Sequence, residues 1–150
     1  FWNDHYQGIF RANTLLVKLP DVDMSDALKS RFAAESKALR AIYYFNLVRM
    51  FKNIPLLLDP LTATTMYDVE QTTSEAVYAQ IEKDLTEAIP ALPASVPAST
   101  ESGRLTKGAA QAMLGKVYLF EGKKMEAAAV LAQVNGTPGA ANQYGNKLLR

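Results

Sequence analysis

The sequence predicts an all-α fold of packed helix pairs, interrupted by one long irregular loop. Apolar residues recur at the three- and four-residue spacing of a helix face in five separate segments, and Gly, Pro or Asn stands where each segment ends. No segment shows a convincing strand pattern. The 150 residues, of which 49% are hydrophobic, suffice for one domain with a real core.

The overall composition excludes several classes of site. The formal net charge of +1 gives no electrostatic reason to expect nucleic acid or an anionic membrane surface as a partner. The absence of cysteine excludes disulfides and thiolate metal sites. No run of about 18 apolar residues predicts a membrane span. The chain opens with Phe1 and Trp2, without Met or a signal peptide, so we expect residues 1–150 to be a single domain and a fragment of a longer chain.

The first predicted helix covers residues 1–19. Leu19-Pro20-Asp21 is expected to end it, because a residue that precedes proline is driven out of the helical region. The residues that recur at helical spacing in this segment are Trp2, Tyr6, Ile9, Phe10, Asn13, Leu16 and Val17.

The second predicted helix is the longest, and the rest of the chain is expected to cover it. Ser25 or Asp26 can cap its start, and Asn53 is expected to take the left-handed conformation that closes it. After Ala41 the helix is apolar on nearly all sides, so neighbours should surround that end. The expected inner face is Leu28, Phe32, Leu39, Ile42, Tyr43, Leu47 and Met50; the expected outer face is Arg31, Glu35, Ser36, Lys37, Arg40 and Arg49.

The third predicted helix follows an irregular stretch over residues 56–71, in which Leu56 to Leu58 could be extended. Thr72 and Glu75 form a possible capping box, and Pro90 is the expected stop. Residues 90–103 hold three prolines and small polar residues, which suits an exposed loop. The expected inner stripe is Val77, Ile81, Leu85, Ala88 and Ile89, and the expected solvated side is Glu82, Lys83, Asp84 and Glu87.

The last two predicted helices match a tetratricopeptide unit, a helix pair with a period of about 34 residues. Thr106 can cap the first and Gly122 close it, and Asn135-Gly136 ends the second. Small residues at Gly115 and Ala127 would let the two helices approach closely. Leu114, Gly115, Tyr118, Ala127 and Leu131 fit the motif, whereas Gln111 stands at its usual Trp and Pro138-Gly139 at its final Pro. Ala41-x-x-Tyr44 echoes Gly115-x-x-Tyr118 and suggests an earlier unit.

Four stretches carry a family resemblance by their order and spacing. They are Tyr6-x-x-Ile9-x-x-Ala12-Asn13, then Glu35-x-x-Ala38-Leu39-Arg40-Ala41-x-x-Tyr44-Phe45-x-Leu47-Val48-Arg49 leading to Ile54-Pro55-Leu56, then Val77-Tyr78-x-x-Ile81-x-x-Asp84-Leu85-x-x-Ala88, and Gly103-Arg104-Leu105-Thr106-Lys107-Gly108-Ala109-Ala110 followed by Leu114-Gly115-Lys116-Val117-Tyr118. Together they resemble the SusD/RagB family of glycan-binding lipoproteins from Bacteroidetes outer membranes. One departure is that Lys52-Asn53 stands where the family has Gly.

This resemblance implies more than the residues do alone. It implies a right-handed α-α superhelix of tetratricopeptide-like pairs, and a non-catalytic protein without a cofactor. It also implies a SusC-like TonB-dependent transporter and an oligosaccharide as partners, with no role for nucleic acid. The expected place is the cell surface, where family members are held in the outer membrane by a lipidated Cys that this chain does not contain. In the family, these helices are mainly scaffold and transporter-facing surface.

The sequence contains only one candidate ligand site. Trp2 and Tyr6, one helical turn apart, could present a platform for a sugar ring, although packing against other helices explains them as well. His5 is the single histidine and supports no metal site. Asp21 and Asp23 suit a turn, and Gly103 and Gly108 form no phosphate loop.

Two functions of different classes therefore remain open. The first is glycan capture by a SusD-like surface protein, and the alternative is a tetratricopeptide-type scaffold that binds another protein. An enzyme is disfavoured because no acid/base or nucleophile constellation is recognisable. The Pro-rich loop and the unequal lengths between helix pairs favour the first function over a regular scaffold.

Overall fold

A computed structural model describes residues 1–136 and 140–145, and within these residues the chain is all-α, as predicted. Helix α1 spans Trp2–Lys18 and continues into a 3-10 turn at Leu19–Asp21. The remaining helices are α2 (Asp26–Phe51), α3 (Ser74–Ala88), α4 (Lys107–Phe120) and α5 (Lys124–Asn135). An isolated antiparallel bridge joins Ile54 to Thr72.

The helix caps agree with the prediction at two helices and differ at a third. Ser25 caps α2 and Thr106 caps α4, each by accepting a hydrogen bond from the backbone N–H three residues later. Helix α3 is capped by Thr73 instead of the predicted Thr72. Thr72 is not available for that role, because its backbone N–H and carbonyl both pair with Ile54, at 2.9 and 3.2 Å.

The end of α2 also differs from the prediction by one residue. Lys52 has the positive φ of 61° that closes the helix, and Asn53 does not. The Asn53 side chain instead accepts a hydrogen bond of 3.2 Å from the backbone N–H of Ser74, the first residue of α3. Asn53 thus joins the end of one helix to the start of the next, which explains an amide side chain at this position without a left-handed turn.

Successive helices pack against each other, so that α2 lies between α1 and α3, and α4 packs on both α3 and α5. The core is continuous through α1 to α4 and has its largest buried side chains on α2 and α3. Tyr44, Phe45, Leu47, Ile81 and Leu85 are among these side chains. Residues 41–48 of α2 are therefore buried or half-buried, as predicted, although the last three residues of the helix are exposed.

The inner face of α2 was predicted wrongly in its first half and at its end. Leu28, Leu39 and Met50 are exposed, with Met50 63% accessible. Ser36 and Arg40, which were expected to face water, are buried. Small residues carry this face: Ala34, Ala38 and Ala41 are each at most 3% exposed and let the neighbouring helices approach.

Helices α4 and α5 are joined by a short turn and pack against each other around Gly115. A Cβ added at Gly115 would lie 2.5 Å from the Leu131 side chain, so a side chain, not the second backbone, fills the space that Gly115 leaves. Ala127 is 1% exposed, as the tetratricopeptide interpretation requires. Gln111, at the motif's Trp position, is buried and pairs with Gln133. The predicted motif end at Pro138 and Gly139 lies outside the described residues.

The Pro-rich loop is exposed along most of its length but is tied to α2 near its end. Arg31 binds Glu101 at 2.6 Å and Arg104 binds Glu35 at 2.5 Å. Leu92, near the start of the loop, is 2% exposed and belongs to the core. The loop is thus anchored at both ends, which the composition alone did not indicate.

Candidate functional site

A groove lies between α1 and the irregular segment 54–69 that follows α2. Its volume is about 300 Å³, near the lower limit for small-molecule sites. Both predicted ligand-binding residues contribute to it. The lining residues are Trp2, Tyr6, Ile9, Phe10 and Asn13 from α1, and Pro55, Leu57, Asp59, Leu61, Met66 and Val69 from the segment.

Trp2 and Tyr6 stand side by side at one end of this groove. Their ring centroids are 4.9 Å apart and the rings are tilted by 43°. Phe51, at the end of α2, meets the Trp2 ring edge-on at 4.8 Å. Trp2 remains 37% exposed, so aromatic surface is open to solvent while the ring is held by two neighbours.

Side chains of α1 and α2 hold the irregular segment by its backbone. Tyr6 donates a hydrogen bond of 2.8 Å to the carbonyl of Pro55, and Asn13 donates one of 2.8 Å to the carbonyl of Leu57. The Tyr44 hydroxyl donates to the Leu57 carbonyl at 2.6 Å and accepts from the Leu57 N–H at 2.7 Å. Because this part of the segment pairs with no strand among the described residues, these side chains satisfy its polar groups.

A buried ion pair supports this framework from behind. Arg40 donates to both carboxylate oxygens of Asp84 at 2.7 Å and to the side-chain carbonyl of Asn13 at 2.8 Å. Gln80 donates a further hydrogen bond of 2.9 Å to Asp84. The prediction that Arg40 and Asp84 face solvent is therefore wrong, because each satisfies the charge of the other in the interior.

The chemistry of the groove follows from which of its polar groups are already bonded. The amide of Asn13 and the hydroxyl of Tyr6 are both used internally. Burial and the nearby Tyr44 raise the pKa of Tyr6 above its usual range, so its hydroxyl stays a donor. The groove therefore offers mainly apolar and aromatic surface, with the exposed Asp59 at its rim. Such a surface suits the apolar face of a ligand.

A second cavity, of about 430 Å³, lies between α3 and the turn that joins α4 to α5. Glu82, Glu121 and Lys123 line it together with Tyr78. The Lys123 ammonium binds Glu82 and, at 3.0 Å, Glu121. Glu82 was predicted to lie on a solvated face, but its side chain is only 21% exposed and is paired.

The remaining candidate residues, His5, Asp21 and Asp23, line neither of these two cavities. His5 bonds to the carbonyl of Phe1 at 2.9 Å and to Asn46 at 3.2 Å. Asp21 and Asp23 are exposed in the turn between α1 and α2, as predicted. Within residues 1–136 and 140–145, no cluster of three or more His, Cys, Asp or Glu could hold a metal ion. In the same residues, no helix has the length and apolar character needed to cross a membrane.

Sequence reasoning found the aromatic end of the groove and missed its other wall. Leu61, Met66 and Val69 lie in a segment without periodicity, so nothing in the pattern placed them opposite α1. One usable signal was Asn13, an amide inside an otherwise apolar stripe. A buried amide needs hydrogen-bond partners, and here they come from Leu57 and Arg40.

The chain resembles known proteins over most of its length. Residues 1–119 match a SusD-like family model described as "Starch-binding associating with outer membrane". Among solved structures, a laminarin binding SusD-like protein is 57% identical, with a TM-score of 0.94 over 99% of this chain and 32% of its own. A SusD-like carbohydrate binding protein from Bacteroides fragilis is 31% identical, with a TM-score of 0.83 over 89% of this chain and 26% of its own.

A curated relative shows the same relation at the sequence level. SusD-like protein P25 from Formosa agariphila is 29% identical over 124 residues, which make up 80% of this chain and 23% of the relative. The chain thus spans about a third or less of the length of the relatives that it matches.

Proposed function

The chain belongs to the SusD-like family, and from this membership we propose that it is part of a non-catalytic protein that captures glycan for an outer-membrane uptake system. Members of the family include carbohydrate-binding proteins. The observation that carries the proposal is the 57% identity, over 99% of this chain, to a protein named for laminarin binding. We therefore take laminarin as the first ligand to test.

The experiment compares two glycans on the full-length protein, since we also propose that residues 1–150 form one domain of a longer polypeptide. Calorimetric titration with laminarin should give saturable binding, and starch, which the family description names, is the second arm. A polysaccharide of unrelated linkage serves as the control. Binding of starch alone would reject laminarin as the ligand. Binding of neither glycan would reject the proposal and favour the protein-binding scaffold.

We propose a SusC-like TonB-dependent transporter as the protein partner, and a lipid-anchored position on the cell surface. The reference to the outer membrane in the family description supports this place. An affinity-tagged full-length protein should copurify one large outer-membrane transporter from native membranes. Protease added to intact cells should remove the protein, and recovery of an intact protein from the periplasm would contradict this part of the proposal.

The proposed action is binding without hydrolysis. The carboxylates Glu82 and Glu121 lie together, as catalytic acids do, but the ammonium of Lys123 contacts both of them. Purified protein should release no reducing sugar from laminarin or starch. Release that persists through purification and disappears in Glu121→Gln would show that the protein is an enzyme.

Within this chain, we propose the aromatic end of the groove, Trp2 and Tyr6, as the place where glycan makes contact. The open part of the Trp2 ring and the tilted Tyr6 ring form a surface on which the apolar face of a sugar can pack.

A further inference from the structure

The two glutamates of the second cavity do not have enough hydrogen-bond donors if both are ionised. Lys123 contacts Glu82 and one oxygen of Glu121, the latter at 3.0 Å. The other oxygen of Glu121, Oε2, is buried and has no hydrogen-bond partner among residues 1–136 and 140–145. A buried charged oxygen without a donor is costly, so a proton on this carboxyl group would remove the deficit.

The neighbouring acceptor for such a proton is Glu82. Both side chains line the same cavity and contact the same Lys123 ammonium, so a protonated Glu121 can donate to the Glu82 carboxylate. Glu121 also follows directly on the last residue of α4, where free carbonyls give the helix end a partial negative charge. That position disfavours a second negative charge there.

We propose that Glu82 and Glu121 share one proton across the contact between α3 and the α4–α5 turn, and that this contact weakens when the proton is lost. The contact joins the helix pair α2–α3 to the pair α4–α5. Loss of the proton would leave two carboxylates beside a single lysine and would loosen the junction between the pairs.

The other charged or titratable groups around the contact do not supply the missing donor. Tyr78 on α3 lines the same cavity and the Lys123 ammonium lies over the ring of Tyr118 on α4, and burial raises the pKa of each tyrosine. Glu75 on α3 lies near Lys52 at the end of α2. The charge of Arg49 on α2 lowers the pKa of Tyr78, and the charge of Glu126 on α5 raises the pKa of Tyr118. The deficit at Oε2 therefore remains after these groups are included.

The pKa values of the three groups agree in direction with this arrangement. Burial, followed by the neighbouring Glu82, raises the pKa of Glu121 to about 7. Burial alone would raise the pKa of Glu82, but hydrogen bonds from Glu121 and Lys123 hold it below its ordinary value. The hydrogen bond to Glu82 raises the pKa of Lys123, so this lysine stays charged.

The sign of the pH effect follows from the raised pKa. Between the ordinary glutamate value of 4.5 and about 7, the folded chain holds a proton that the unfolded chain has released. Its contribution to stability is complete below pH about 4.5 and is lost as the pH rises through about 7.

The direct test is a ¹³C NMR titration of the glutamate carboxyl carbons in the full-length protein. The Glu121 carboxyl should titrate close to neutral pH, and in Glu82→Gln its midpoint should fall by at least about one pH unit, since the neighbouring charge is gone. A Glu121 midpoint below pH 5 in the unmodified chain would overturn the proposal, as would a midpoint that Glu82→Gln does not move.

A stability measurement tests whether the contact weakens when the shared proton is lost. The urea midpoint of the unmodified chain should be lower at pH 8.5 than at pH 5.5, and Glu121→Gln, which keeps a donor and cannot titrate, should lose most of this difference. Glu87→Gln is the control, since Glu87 is an exposed carboxylate on α3, the helix that carries Glu82, and is paired with Lys37. It should keep the difference. Equal pH dependence in all three proteins would reject a role for the shared proton in the contact.

Discussion

Arg40 donates two hydrogen bonds of 2.7 Å to the carboxylate of Asp84, and the two side chains are only 7% and 2% exposed. The pair connects α2 to α3 and, through Asn13, to α1. The pair also helps to position the wall of the groove, because the Asn13 amide that it orients donates a hydrogen bond to the carbonyl of Leu57.

Breaking this pair should destabilise the chain strongly. Arg40→Ala leaves the Asp84 charge buried without its partner, and we expect a loss of about 3–5 kcal/mol in the free energy of unfolding. Arg40→Lys should also be destabilising, because an ammonium cannot reproduce the two-pronged contact. Urea denaturation monitored by circular dichroism gives both values.

The matched control for the buried pair is a surface pair between the same two helices. Lys37 binds Glu87 at 2.7 Å, with the two side chains 30% and 42% exposed. Lys37→Ala should therefore cost less than about 1 kcal/mol. Equal losses from Arg40→Ala and Lys37→Ala would contradict the role given to the buried pair.

The second prediction concerns the close approach of α4 and α5 at Gly115. Gly115→Leu should cost about 1–3 kcal/mol through overpacking, since even a Cβ there lies 2.5 Å from Leu131. Gly115→Ala should gain little or lose, because the clash opposes the gain of about 1 kcal/mol in helix propensity. Thermal or urea denaturation measures both effects.

The direct partner of Gly115 makes this prediction specific. Leu131→Ala should make room for the new side chain, so Gly115→Leu in that background should cost clearly less than it does alone. Ala127→Leu, which enlarges the other small residue of the crossing, should also destabilise. Ala109→Leu, on the exposed side of α4, is the control and should be nearly neutral. A neutral Gly115→Leu would disprove the packing of the pair.

The third prediction separates sugar contact from packing at the groove. Trp2→Ala removes the open aromatic surface and should weaken binding of laminarin to the full-length protein about three- to tenfold, the usual range for an aromatic contact. Tyr6→Phe keeps the ring but removes the hydrogen bond to Pro55. It should cost about 1 kcal/mol of stability and leave the affinity unchanged. Unchanged affinity in Trp2→Ala would remove the groove from the binding site.

The fourth prediction concerns the apolar surface of the 150-residue chain. Phe10, Met66 and Tyr67 beside the groove are 50%, 50% and 84% exposed, so the chain by itself should bind a hydrophobic dye. Phe10→Gln with Met66→Gln should lower the dye fluorescence, whereas Met125→Gln on α5 should change it little. A monodisperse monomer that binds no dye would contradict the proposal that residues 1–150 are part of a longer polypeptide.

The sequence was sufficient for the helices because helix periodicity and caps act over a few residues. It was insufficient for the polar core. Arg40 and Asp84 are separated by 44 positions, and any pattern that assigns charged residues to the outside will misplace both. The exposed Leu28 and Met50 are the reverse case, since their spacing fits an inner face that alanines in fact provide. Whether these residues are buried depends on contacts between segments that are distant in sequence, and helix periodicity carries no information about such contacts.

The candidate site divides along the same line. Trp2 and Tyr6 were identifiable because both lie on one helix, one turn apart. Glu82 and Glu121 could not be paired from the sequence, because their contact depends on how α3 meets the turn after α4.

The irregular segment after α2 has one further consequence, for how the chain can change during evolution. Side chains of Tyr6, Asn13 and Tyr44 bind its main-chain carbonyls, and every amino acid carries the same carbonyl group. Substitutions at Leu58 and Asp59, whose own side chains point towards solvent, should therefore be inherited freely. Selection should instead conserve the helix residues that bind the segment, so that the rim of the groove can diversify while the residues that shape it stay constant.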